Sequence, residues 1–110
     1  MSGHQDITCE RAQALIAAES VTILDLRDHR SYRAGHIEGA LLLHDGLMQT
    51  LVKLDQRHKP ILIYCYRGAT SKEKAELFFE LGFERVYSLE GGFTEWSKQL
   101  SQTQSQAARP

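Results

Sequence analysis

Runs of consecutive apolar residues alternate along this chain with stretches in which apolar positions recur every three or four residues. The first pattern describes strands buried on both faces, the second amphipathic helices. Val21-Thr22-Ile23-Leu24-Asp25-Leu26, Ile61-Leu62-Ile63-Tyr64 and Arg85-Val86-Tyr87-Ser88-Leu89 are the three clear strands, and Pro60 starts the central one. Ile7 marks a short edge strand, and Leu41 to Leu43 is long enough for only a short one. One helix follows Thr8, a good N-cap, through Ala14, Leu15 and Ala18 to about Glu19. Another covers Asp45 to Leu54, with apolar residues at Leu47, Met48, Leu51 and Leu54. A third carries Ala75, Leu77, Phe78, Phe79 and Leu81 and stops at Gly82, and Thr70 and Glu73 at its start have capping-box spacing. The last follows Gly91-Gly92 and shows Phe93, Trp96 and Leu100 on one face. Tyr32 to Ala40, broken by Gly35 and Gly39, reads as a loop.

Strands alternating with helices predict an α/β domain: a mostly parallel sheet covered by helices on both faces. The domain is expected over residues 1–100. Residues 101–110 are polar and aperiodic and are expected to form a disordered tail.

Composition changes little in this picture. With 110 residues, 42 % hydrophobic and 25 % charged, the chain fits one soluble globular domain. A net charge of −1 gives no hint of nucleic acid or a membrane surface as partner. No apolar run approaches membrane-spanning length and residues 1–6 are polar, so the chain reads as cytoplasmic. Two cysteines, Cys9 and Cys65, are too few for a disulfide framework, and a reducing compartment disfavours a bridge between them. His4, His29, His44 and His58 have no regular ligand spacing with either cysteine, so no metal and no cofactor is expected.

The chemistry concentrates where the central strand ends. In an open parallel sheet the functional crevice lies beyond the carboxyl ends of the strands. There the chain reads Cys65-Tyr66-Arg67-Gly68-Ala69-Thr70-Ser71, a short turn between strand and helix. Such a turn aims backbone N–H groups and a helix N-terminus at one point and favours an anion there. A thiolate at that point is stabilised, which makes Cys65 a candidate nucleophile. Against this stands the reading of Cys65 as an ordinary buried strand-end cysteine. Arg67 is either an anion-binding group or a solvated loop charge, and the Thr70 hydroxyl either caps the helix or faces the site. Cys9, at a helix start with nothing else reactive nearby, reads as a small helical residue. His36 reads as a turn-stabilising residue, not a base, and Gly91-Gly92 as a backbone requirement.

Three motifs in order resemble the rhodanese family of sulfurtransferases, most closely its short single-domain type, the GlpE-like thiosulfate sulfurtransferases. Tyr32-Arg33-Ala34-Gly35-His36-Ile37-Glu38-Gly39-Ala40 is similar to the family's Gly-His-Ile-x-Gly-Ala element. Cys65 to Thr70, followed by Ser71, resembles its six-residue active-site loop, and Val86 to Trp96 its Gly-Gly-x-x-x-Trp element. The resemblance implies that Cys65 accepts sulfur and passes through a persulfide. The amides from Tyr66 through Arg67, Gly68, Ala69 and Thr70 to Ser71 would cradle the anionic substrate. It also implies that Asp25 and Arg27 are structural. Thiosulfate would be the donor, and cyanide, a dithiol or a thioredoxin-like protein the acceptor. A persulfide carrier or regulatory module serving a protein partner is the alternative. A cysteine phosphatase fits less well, because such enzymes place an arginine six residues after the nucleophile, where this chain has Ser71.

Overall fold

The computed structural model describes residues 3–54 and 56–107, with side chains as far as residue 100. Five strands and five helices alternate: β1 (Gln5–Ile7), α1 (Cys9–Ala18), β2 (Thr22–Asp25), α2 (His29–Ala34), β3 (Leu41–Leu42), α3 (Asp45–Lys53), β4 (Ile61–Tyr64), α4 (Ala69–Glu80), β5 (Val86–Leu89) and α5 (Gly92–Ala107). The strands form one sheet in the order β1-β5-β4-β2-β3, and every pairing is parallel. The expected α/β architecture is therefore present, with β4 at its centre.

All four residues of β4 are buried, which is why its sequence carries no polar position. The pleat sends alternate residues to opposite faces. Leu62 and Tyr64 join Ile7, Cys9, Ala12, Ile23, Ile37, Leu89 and Trp96 on the side of α1 and α5. Ile61 and Ile63 join Leu24, Leu51, Ala75, Phe78, Phe83 and Val86 on the side of α3 and α4. Each fully buried apolar side chain contributes roughly 1.5–3 kcal/mol from loss of hydrated surface. No helix among the described residues is long and apolar enough to cross a membrane.

The chain leaves β2 toward β3 on one side and leaves β4 toward β5 on the other. Adjacent strands whose connections diverge open a crevice at their carboxyl ends. Cys65 follows β4 and Arg27 follows β2, so both stand at this point.

Three local expectations are corrected. The stretch from Tyr32, expected to be a loop, begins inside helix α2, whose N-cap Asp28 accepts from the Ser31 amide at 2.8 Å. None of the six α2 residues is buried, so no apolar periodicity marks the helix. Second, α4 begins two residues before the predicted capping box. Gly68, at φ 100°, is its N-cap, without a side-chain hydrogen bond. Only a residue tolerant of the left-handed region can turn the chain there, and a Cβ on Gly68 would also lie 3.2 Å from the Gly91 nitrogen. Third, α5 continues past Leu100 as far as Ala107, into the stretch read as tail. Among the large apolar residues assigned to helix faces, Leu54, Phe79 and Leu100 stay exposed.

Candidate active site

Cys65 sits directly after β4, and its residue surface is only 4 % exposed. Gly68 brings the chain back so that its own amide donates to the Cys65 sulfur at 3.2 Å. The early start of α4 then turns the Ser71 side chain inward, where it is fully buried with its Oγ 3.6 Å from the sulfur. Burial by itself pushes the Cys65 thiol up. The Ser71 hydroxyl and the amides of Ser71, Gly68 and Arg67 outweigh burial by hydrogen bonding to the sulfur, and the thiol titrates below its ordinary value. Cys9 behaves oppositely. Its burial, and then the charges of Glu95 and Glu90, raise its thiol. Both cysteines are free.

The loop side chains diverge. Tyr66 points to α2, where its hydroxyl bonds Asp28 and lies 3.1 Å from the Ser31 hydroxyl. The Tyr66 hydroxyl, then the Ser31 amide, lower the Asp28 carboxyl to about 2. Arg67 is exposed and shares a shallow 260 Å³ pocket with Gly68, Ala69, Lys72, Glu90 and Gly91. Thr70 faces a different pocket of 230 Å³, beside Leu26, Leu43 and His44. Its capping role is excluded, since Gly68 holds the cap position. The structure thus directs the amides of Arg67, Gly68 and Ser71 to the sulfur. No such bond from Tyr66, Ala69 or Thr70 is found among the described residues.

A second layer holds the loop. The amides of Phe93 and Thr94 donate to the carbonyls of Cys65 and Tyr66 at 2.9 and 3.0 Å. Gly92, at φ 57°, comes so close that a Cβ would lie 2.6 Å from the Cys65 carbonyl oxygen. Gly91-Gly92 is therefore a backbone requirement, as the sequence implies. Arg27 forms a buried pair with Asp25 through Nη2 to Oδ2 at 2.8 Å and also donates to the Gly35 carbonyl at 2.6 Å. Its guanidinium lies 4.0 Å from the Phe93 ring centroid. Tyr64 donates to Asp25 at 2.6 Å, and the Ile37 amide donates to the Tyr64 hydroxyl at 3.2 Å. Burial and then the bond to Asp25 raise the Tyr64 phenol. Asp25 and Arg27 thus join β2, β4 and α5, a structural role. His36 stacks on Tyr32 with ring centroids 3.9 Å apart and bonds the Tyr32 carbonyl at 2.7 Å, as a turn-stabilising residue does.

Sequence reasoning did not single out Ser88. It is buried in β5, with its Oγ 2.7 Å from that of Ser71. The available signal was a lone small polar residue in the otherwise apolar and aromatic run Val86-Tyr87-Ser88-Leu89.

The fold and a cysteine-centred loop of this kind define a class that the comparisons identify. The model of the rhodanese-like domain matches residues 8–99, and the chain belongs to that family. Within the family it is similar to GlpE enzymes. The thiosulfate sulfurtransferase GlpE of Pseudoalteromonas translucida is 38 % identical over 96 residues, 87 % of this chain and 91 % of that protein. The thiosulfate sulfurtransferase GlpE of Shewanella oneidensis is 34 % identical over 96 residues, 87 % of this chain and 95 % of its own length. Among solved structures, a Rhodopseudomonas palustris protein of unknown function, a possible tyrosine phosphatase, superposes with a TM-score of 0.75. It is 28 % identical, and the match covers 89 % of this chain and 83 % of that one.

Proposed function

We propose that this protein is a thiosulfate sulfurtransferase that works through a persulfide on Cys65. The observation that carries the reading is the set of hydrogen bonds on the Cys65 sulfur, which favours the thiolate despite burial. The thiolate attacks the outer sulfur of thiosulfate. A new S–S bond forms to Cys65, the S–S bond within thiosulfate breaks, and sulfite leaves with its electron pair. Cyanide, a dithiol or a thioredoxin-like protein then attacks the outer sulfur of the persulfide and returns Cys65 as thiolate. Both half-reactions move one negative charge between the Cys65 sulfur and the outer sulfur within one small pocket, so fixed amides serve throughout and no separate base is needed. Arg67, in a pocket beside the loop with Lys72, supplies positive charge for the doubly charged donor. A reducing cytoplasm would keep Cys65 free for the cycle.

The phosphatase reading has less support. Ser71, buried and uncharged, occupies the position where that chemistry uses an arginine. The test is thiosulfate:cyanide sulfur transfer by Cys65→Ser, with folding followed by circular dichroism. A folded, inactive variant is expected, and full activity in that variant would overturn the mechanism.

A further inference from the structure

Ser88 lies outside the loop, on β5, and the one hydrogen-bond partner of its hydroxyl among the described residues is the Ser71 hydroxyl at 2.7 Å. Both serines are buried, at 1 % and 0 % exposure. A buried hydroxyl that finds no acceptor carries a free-energy cost, and the Ser71 oxygen is the acceptor available to the Ser88 proton. When Ser88 donates, the Ser71 proton is directed elsewhere, to the Cys65 sulfur at 3.6 Å or to the Gly68 carbonyl at 3.3 Å. We propose that Ser88 is a positioning residue for Cys65, acting through Ser71 in a buried hydroxyl chain that adjusts to the charge on the sulfur.

With the thiol protonated, its S–H points to the Ser71 oxygen and the Ser71 proton goes to the Gly68 carbonyl. With the thiolate, the Ser71 proton turns to sulfur while Ser88 keeps donating to Ser71. Only hydroxyl rotations are needed, and no proton changes owner. Each donor polarises the next, so the chain strengthens the last bond, the one on sulfur. The fold supplies this without loop flexibility. Ser71 is fixed by the first turn of α4, and Ser88 by the pairing of β5 with β4, where it lies opposite Ile63. The inference rests on Cys65 being the reacting group, but the thiolate can be read without any sulfur donor.

The test is the pH dependence of Cys65 alkylation by iodoacetamide, followed by peptide mass so that Cys9 is recorded separately. Ser88→Ala should move the midpoint upward by about half a pH unit, the scale of one lost hydrogen bond. Ser71→Ala should move it at least as far, and the double variant no further than Ser71→Ala alone. Ser88→Thr, which keeps the hydroxyl, should hold the wild-type midpoint. An unmoved midpoint in Ser88→Ala overturns the proposal. So does a downward shift, which would mean that Ser88 competes for the Ser71 proton. If Ser88→Ala does not fold, an unmoved midpoint in Ser71→Ala overturns it equally. A wild-type protein that takes no sulfur from thiosulfate, yet shows these shifts, would remove the sulfur-transfer reading and leave the hydroxyl chain standing.

Discussion

The amide of Phe93 donates to the carbonyl of Cys65 at 2.9 Å, tying the first turn of α5 to the residue that ends the central strand. Approach this close requires glycine at position 92. A Cβ there would meet the Cys65 oxygen and the Tyr66 carbonyl carbon and oxygen at 2.6 Å, at a φ of 57°. Gly92→Ala therefore combines left-handed strain with a backbone clash, and a cost of about 1–3 kcal/mol is expected from the strain alone. Its thermal midpoint should fall, and Cys65 should alkylate more slowly at a temperature where the variant is folded. An unchanged alkylation rate would show that the contact does not position the loop.

Arg27 and Asp25 form the buried pair beneath the same loop. Arg27→Leu would leave the fully buried carboxylate of Asp25 with the Tyr64 hydroxyl and the main-chain amide of residue 27 as its donors among the described residues. Breaking a buried pair from one side costs roughly 3–5 kcal/mol. Urea unfolding should record a loss of that order. A loss below about 1 kcal/mol would mean that water reaches the Asp25 carboxylate in the variant.

The Asp28 carboxyl, lowered to about 2 by Tyr66 and then Ser31, links α2 to the loop. A carboxyl whose folded value lies below its unfolded value of about 3.9 favours the folded state above that unfolded value. The contribution is lost as pH falls through about 2. Tyr66→Phe removes the leading cause, so the Asp28 midpoint, followed by carboxyl carbon NMR, should rise toward the ordinary range. A midpoint that stays near 2 in that variant would assign the effect to the bonds from Ser31 and from the Asp28 amide.

Arg67 is the loop cation beside the pocket shared with Lys72 and Glu90. Arg67→Ala should raise KM for thiosulfate several-fold and change kcat little, as loss of uniform binding does. An unchanged KM would return Arg67 to the role of a solvated loop charge.

The main elements were legible in the sequence because their burial is simple. The run Ile61 to Tyr64 has no polar residue since both sheet faces are covered, and helices α1, α3 and α4 carry apolar faces that bury against it. Helix α2 was not legible, because it buries nothing and is held by the Asp28 cap and the Tyr66 hydroxyl. The start of α4 was misplaced for a different reason. Thr70 and Glu73 satisfy a capping pattern locally, but the left-handed turn at Gly68 starts the helix earlier. That two-residue difference decides which hydroxyl faces Cys65, since it places Ser71 inside and Thr70 outside. Ser88 depended on the register between β4 and β5, which local sequence does not encode.

The central claim is that Cys65 carries sulfur between donor and acceptor. Intact mass of the reduced protein after incubation with thiosulfate tests it most directly, with peptide mapping to locate the added atom. The account predicts a gain of one sulfur on Cys65 that cyanide removes, with no gain in Cys65→Ser. No gain in the wild-type protein, or a gain that persists in Cys65→Ser, would contradict it.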